Sequence, residues 1–146
     1  MKKLYVLFLA VCLLAFVSTS CKDKVKPFSE RVAKTWIPRL VKENGTIVYS
    51  NGGSNNIQPA YSAYKMNLSS APTASLTEVD GNTYAGTYEA DESKIVISGL
   101  SPEPTGTGGV LQYTVNSFSD DEMVITLSTA YPKTGNTTNE YTLVPQ

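Results

Sequence analysis

The sequence predicts an all-β domain: an up-and-down antiparallel β-barrel of about eight or nine strands, with a β-sandwich as the alternative. Three observations support this prediction. From residue 35 onward, apolar and polar residues alternate with a period of two in one short segment after another, as they do in strands with one buried face. Runs rich in Gly, Asn, Asp and Ser separate these segments, and such runs are typical of turns between strands. No segment after residue 35 keeps the 3.6-residue period of a long helix.

The N-terminus has the order of parts that an export signal has. Met1 to Lys3 is a basic start, residues 4–17 are an uncharged apolar run, and three small residues precede Cys21. This order predicts a secretory signal peptide, because the run is shorter than the ~20 apolar residues that a membrane span needs. A Cys after small residues resembles the lipobox of bacterial lipoproteins, in which the Cys carries fatty acids such as palmitate. The alternative is an ordinary secreted protein in which Cys21 falls near the cleavage point.

These features divide the chain into three parts. Residues 1–20 are the predicted signal peptide, residues 21–32 an acylated tether with a short helix, and residues 33–146 the barrel domain. The other cysteine, Cys12, lies inside the apolar run and would be removed with it. The mature chain would then hold Cys21 alone, so no internal disulfide is expected.

Charge is distributed unevenly along the chain. Residues 22–43 hold seven basic side chains against three acidic ones, whereas residues 44–146 hold three basic against ten acidic. The basic segment lies next to the predicted anchor, where it would be either a solvated tether or attracted to anionic head groups. The acidic body argues against nucleic acid as a partner, because nucleic-acid binding needs a basic face.

The first two strands are predicted at 36–41 and 46–49. Pro38 has no backbone N–H to donate, so it restricts the first strand to a sheet edge or a bulge. Asn44-Gly45 tolerates positive φ and predicts the turn between the two strands. Residues 50–59 are rich in Gly, Asn and Ser and are predicted to form a loop.

The remaining strands are predicted from alternation between turn signals. They are expected at residues 62–69, 74–79, 83–90, 94–98, 110–118, 123–128 and 141–145. Long loops are expected at 99–109 and 130–137, where Gly, Pro and Thr are frequent.

The sequence contains no histidine, and an acylated Cys21 would leave no free thiol. The commonest general base and the commonest transition-metal ligands are therefore missing. Carboxylates cluster in predicted turns or on outward faces, where they are expected to be solvated: Glu89, Asp91, Glu92, Asp120, Asp121 and Glu122. Asp80-Gly81-Asn82 lacks an EF-hand spacing and predicts a turn rather than a calcium site. We therefore predict no enzyme, no metal site and no cofactor.

Aromatic residues on the predicted inner faces are the candidates for ligand contact. With the Trp that opens the first strand and one methionine, they are Trp36, Tyr64, Met66, Tyr84, Tyr88, Tyr113 and Tyr141. Phenols lining a barrel interior suit a lipid, a sterol or an aromatic compound; alternatively, these rings fill the core. Tyr49, Tyr61 and Tyr131 flank predicted loops, where they would stack on sugar rings.

The layout resembles the small lipocalin-like lipoproteins of Bacteroides and its relatives. The resemblance is carried by Cys21, by Ala33-Lys34-Thr35-Trp36 at the first strand, by the Gly-x-aromatic hairpin at 86–97 and by Tyr141-Thr142-Leu143 in the last strand. True lipocalins have Gly-x-Trp at the first strand, and Lys34 stands at that Gly position. The resemblance implies a barrel fold and a lipid-anchored place in the outer membrane.

Two functions follow as expectations. The first is a non-catalytic binding lipoprotein of the bacterial cell envelope, which holds a small hydrophobic or amphipathic ligand. The alternative is an accessory lipoprotein that binds an outer-membrane protein partner or a glycan through loops 51–60, 99–109 and 130–137. In both, the membrane is contacted through acylated Cys21.

Overall fold

One short helix precedes nine β-strands in the computed structural model, which describes residues 25–146. The predicted signal peptide, Cys12, Cys21 and the start of the predicted tether lie outside the described residues. The elements are α1 (Phe28–Arg31), β1 (Thr35–Glu43), β2 (Thr46–Ser50), β3 (Lys65–Ser70), β4 (Thr73–Thr77), β5 (Thr83–Ala90), β6 (Lys94–Ser101), β7 (Leu111–Phe118), β8 (Met123–Leu127) and β9 (Asn139–Pro145). Two 3₁₀ turns lie at Pro59–Ala63 and Pro132–Thr134.

The sheet closes on itself through β1. Strands β3 to β9 pair with their chain neighbours in antiparallel order, and β1 pairs both with β3 and with β9. Eight strands thus form a closed barrel, and β2 is an extra strand paired with the second half of β1. The all-β, up-and-down barrel predicted from the alternation is confirmed, and the sandwich alternative is not what forms.

Pro38 lies at a bulge, as its missing N–H predicts. The register between β1 and β9 shifts between Pro38 and Leu40, so the residue without a donor falls where the ladder is interrupted. Before the bulge β1 pairs with β3 at Thr35 and Trp36, and after it β1 pairs with β2.

The two ends of the barrel differ, and we name them by what they carry. The helix end carries α1 and the turns around residues 71–72, 91–93 and 119–122. The loop end carries the β1–β2 turn, the first 3₁₀ turn and the connections 78–82, 102–110 and 128–138.

Aromatic packing closes the helix end. Phe28 of α1 meets Phe118 edge-on at 4.7 Å between ring centres, and Trp36 meets the same ring at 6.0 Å. The Trp36 Nε1–H donates a 2.8 Å hydrogen bond to the Val32 carbonyl, which ties the helix to β1. Within residues 25–146, no helix is both long enough and apolar enough to span a membrane.

The largest departures from the predicted strand bounds are at β3 and β6, by three residues each. Residues 59–63 form a 3₁₀ turn, so β3 begins at Lys65 instead of residue 62; Pro59 starts that turn and buried Tyr61 anchors it. Strand β6 continues to Ser101, three residues into the predicted loop.

Gly86 provides a test of the barrel packing. The β5–β6 register shifts between Ala85 and Thr87, and a Cβ at Gly86 would lie 2.5 Å from the Ser98 carbonyl oxygen. We expect Gly86→Ala to lower the free energy of unfolding by about 1–3 kcal/mol, because the two backbones must separate. Urea unfolding measures it, with exposed Thr87→Ser as the control, expected within about 0.5 kcal/mol of wild type. Equal stability of Gly86→Ala and wild type would contradict the close approach.

Candidate functional site

The predicted ligand-lining residues all point into the barrel. Each is at most 6% exposed, and their side chains fill the interior together with buried aliphatic residues such as Val41, Leu76, Ile97, Ile125 and Leu143. They divide between the two ends. Trp36 lies at the helix end, where the Tyr88 hydroxyl also donates a 2.9 Å hydrogen bond to the Leu68 carbonyl. Tyr64 and Tyr113 lie at the loop end.

Four tyrosines pack together at the loop end. We call Tyr61, Tyr64, Tyr113 and Tyr141 the phenol cluster. The rings of Tyr64 and Tyr141 are stacked at 4.9 Å, and Tyr61 and Tyr113 meet Tyr141 edge-on at 6.1 and 6.2 Å. The cluster covers the aliphatic core with rings that carry polar tips.

Polar partners satisfy part of this cluster. The Tyr61 hydroxyl donates to Glu43 Oε1 at 2.8 Å. The fully buried Asn139 amide donates to the Tyr141 hydroxyl at 3.2 Å and to the Tyr61 hydroxyl at 3.4 Å. Burial raises the pKa of Tyr64 and Tyr113 well above its ordinary value, so both phenols stay protonated.

Glu78 is the unusual residue of the loop end. Its side chain is 1% exposed, yet Oε1 has no hydrogen-bond partner among the described residues, and the Tyr131 hydroxyl is equally unpaired. The two groups lie close enough for each to affect the pKa of the other. Burial raises the pKa of the Glu78 carboxyl, and the Tyr131 hydroxyl and the Lys133 ammonium offset only part of that rise.

A second carboxylate, that of Asp80, forms a salt bridge with Lys133 near Glu78. The Lys133 Nζ lies 2.7 Å from Asp80 Oδ2, donates to the Tyr84 hydroxyl and lies 4.4 Å from the centre of the Tyr84 ring. Burial lowers the pKa of Lys133, but the hydrogen bonds to Asp80 and Tyr84 outweigh it, and the pKa is raised overall. Lys133 is therefore a cation held between Asp80 and Tyr84.

An open groove of about 400 Å³ lies over this region, between the β6–β7 and β8–β9 connections. Val110, Ala130 and Pro132 give it an apolar wall, and Thr107 and Gln112 add polar groups. Tyr131 also lines the groove, so one residue belongs both to the groove and to the surroundings of Glu78.

The remaining predicted sites behave as structural residues. Asp91 accepts hydrogen bonds from Ser93 within its turn, while Asp120 pairs with Arg31 at 3.1 Å and Glu122 pairs with Arg39. Among residues 25–146, no group of three or more Cys, Asp or Glu side chains is arranged to hold a metal ion. Tyr49, Tyr61 and Tyr131 are at most 5% exposed, so their rings do not form a stacking surface for sugars.

Sequence reasoning missed Glu78, Lys133 and Asn139 as members of a site, and it assigned Tyr131 to an exposed sugar-stacking loop. For Glu78 a signal was present, because Ala74, Leu76 and Glu78 continue one period-two pattern and all three are buried. A carboxylate at an inward position is the feature that distinguishes it from the turn carboxylates. Tyr131 and Lys133 come from an irregular connection, for which no periodicity exists.

Glu78 makes stability depend on pH in a definite direction. A carboxyl whose pKa is raised in the folded state stabilises the fold below its unfolded pKa of about 4.3, and that contribution is lost as pH rises through the folded pKa. We expect Glu78→Gln to flatten this decline and to raise the free energy of unfolding, and with it the melting temperature, at pH 7. The gain in free energy grows by about 1.4 kcal/mol for each tenfold difference in proton affinity between the folded and unfolded states.

Thermal unfolding from pH 4 to pH 8 measures this effect. Glu89→Gln is the matched control, because Glu89 is exposed on the same sheet, and it should leave the profile unchanged. Asp80 does not interfere: burial acts to raise its pKa, but hydrogen bonds from Lys133 and Asn82 lower it overall, so its contribution is lost only below about pH 4. A Glu78→Gln profile parallel to wild type would contradict a buried, destabilised carboxylate.

Comparisons with known proteins give structural likenesses alone. No protein-family model matches the sequence, and no curated protein matches it either. The chain is similar to a lipocalin-like protein from Bacteroides uniformis, at 15% identity over 80% of this chain and 99% of that chain, with a TM-score of 0.48. It is also similar to an uncharacterized protein from Bacteroides eggerthii, at 12% identity over 78% and 98% of the two chains, again with a TM-score of 0.48.

Proposed function

We propose that this chain is a non-catalytic binding lipoprotein of the bacterial cell envelope, which holds a small amphipathic ligand at the loop end of its barrel. The observation that carries the proposal is the change of polarity along the barrel. The helix end is closed by Phe28, Trp36 and Phe118, whereas the loop end presents phenols and the unpaired atoms of Glu78 and Tyr131.

This polarity suits an amphipathic rather than a purely apolar ligand. The groove beside Tyr131 offers apolar contact from Val110 and Pro132, and buried polar groups lie directly behind it. Ligand sites are commonly apolar concavities with a few placed polar groups. Because the barrel interior is already filled by the predicted lining residues, the ligand lies in the groove and not deep in the core.

The proposed anchor is consistent with this placement. The described chain starts at Val25, beside the helix end, and four peptide steps separate it from Cys21. An acylated Cys21 would hold the helix end within about 14 Å of the membrane, with the groove on the far side. Two or more acyl chains give stable attachment where one gives only marginal attachment.

A second candidate function is supported by a different observation. Ile47 on β2 and Ile57 in the following loop are 53% and 65% exposed. The residues that follow them in the chain, Val48 and Gln58, are joined by a hydrogen bond from Gln58 N to the Val48 carbonyl. This bond brings the two segments side by side on the surface. Exposed apolar residues that lie together are typical of interaction sites, and this surface would suit the accessory lipoprotein that binds a protein partner.

The ligand proposal is tested by native mass spectrometry of protein purified from its own cells. We expect a fraction of molecules to carry an added small-molecule mass that is lost on denaturation. Ala130→Trp, which fills the groove from an exposed position, should reduce that fraction, and exposed Ala85→Trp on β5 is the matched control. Spectra without any bound mass in wild type would overturn the proposal, and a retained protein instead of a small molecule would favour the accessory function.

The anchor is tested separately by labelling cells with an alkyne-bearing palmitate analogue. We expect label on the mature protein, abolished by Cys21→Ala because the thiol is the acylated group. Cys12→Ala is the matched control and should leave labelling intact, since Cys12 lies in the segment predicted to be removed. An unlabelled wild-type protein would show that the export signal is that of an ordinary secreted protein.

A further inference from the structure

Two buried oxygen atoms at the loop end stand apart from the rest of the structure. Glu78 Oε1 and the Tyr131 hydroxyl are the side-chain atoms of the described residues that are buried without a hydrogen-bond partner. Buried polar groups are nearly always paired, so each exception calls for a physical reason. The carboxylate oxygen only accepts, whereas the Tyr131 hydroxyl both donates and accepts. The hydroxyl lies near enough to lower the pKa of Glu78 as a donor does, but it does not reach hydrogen-bonding geometry with Oε1. A further donor beside the two groups would satisfy both.

The charges of this region are also unbalanced. Two carboxylates, Glu78 and Asp80, face one ammonium, that of Lys133. The ammonium lies 2.7 Å from Asp80 Oδ2 and forms no hydrogen bond with Glu78. Among these three groups there is one negative charge more than there are positive charges when Glu78 is ionised. Glu43, a further carboxylate at this end of the barrel, accepts a hydrogen bond from the Tyr61 hydroxyl and brings no positive charge.

The aromatic surroundings favour a cation over other donors. Tyr64, Tyr113, Tyr131 and Tyr141 all lie close enough to Glu78 for its charge to affect their pKa values. Ring faces attract ammonium groups. Lys133 makes both contacts in this region: its ammonium lies 4.4 Å from the Tyr84 ring centre and also pairs with Asp80.

We propose that the groove and Glu78 together form a site for an organic ammonium ligand, whose cationic head enters beside Tyr131 and pairs with Glu78 and whose apolar body lies against Val110 and Pro132. The inference rests on the proposed function, since it identifies the chemical class of the amphipathic ligand. Tyr131 connects the two parts, because it lines the groove and lies beside Glu78. An anionic head would be repelled by Glu78, and an uncharged alcohol would leave the carboxylate charge unbalanced.

Three ligands with the same apolar chain test the assignment: n-octylammonium, 1-octanol and octanoate, titrated calorimetrically into the purified protein at pH 7. We expect octylammonium to bind roughly tenfold or more tightly than octanol, as for hydrogen bonds to charged groups, and octanoate to bind most weakly. Glu78→Gln keeps the shape of the side chain and removes its charge, so it should abolish the preference for ammonium. Glu89→Gln on the exposed face should retain it.

The outcomes separate this inference from the proposed function. Octanol or octanoate binding as tightly as octylammonium would overturn the ammonium assignment and leave a ligand-binding groove. A preference that survives in Glu78→Gln would remove Glu78 from the site. Failure of all three ligands to bind would overturn the inference, while native mass spectrometry of the cell-derived protein still decides independently whether a ligand is held.

Discussion

Closure of the sheet through β1 is the constraint on which the rest of the structure depends. β1 pairs with β9 along most of its length and with β3 at Thr35 and Trp36, and this turns a row of hairpins into a ring. A closed ring has no unpaired edge within it, and every inward side chain must then fit a space of fixed width. The bulge at Pro38 allows one strand to serve both partners, because the interruption falls where no backbone donor is available.

The fixed interior explains why tyrosines collect at one end. A ring in the barrel buries a large apolar area, but its hydroxyl must reach a partner. At the helix end the Tyr88 hydroxyl finds a backbone carbonyl, and at the loop end Asn139 and Glu43 supply partners to the phenol cluster. Glu78 has no such partner for Oε1, so its burial costs stability that a structure optimised for the fold alone would avoid. Costs of this kind concentrate at functional sites.

Much of the fold could be predicted from the sequence because its dominant signal is local. Period-two alternation identified the strands and the inward faces, including Tyr64, Met66 and Leu68, since a buried face imposes that period on any strand. The 3₁₀ turn at Pro59–Ala63 was not predicted, because five residues are too few to show a helical period. The candidate site was harder to predict: it joins residue 78 to residues 131 and 133, and no local pattern encodes which irregular connection folds over which strand end.

The order of elements also places the N-terminal residues at one end of the barrel and the groove at the other. The described residues begin at the helix end, where Arg31 pairs with Asp120 and Phe28 packs on Phe118, and the groove beside Tyr131 lies at the opposite end. A tether of a few residues cannot reach around the barrel, since each residue spans at most about 3.6 Å. An anchor at Cys21 would therefore present the loop end away from the membrane, whichever leaflet it occupies. Of the two proposed binding surfaces, the groove lies at that far end, so a small ligand would reach it without crossing the lipid surface.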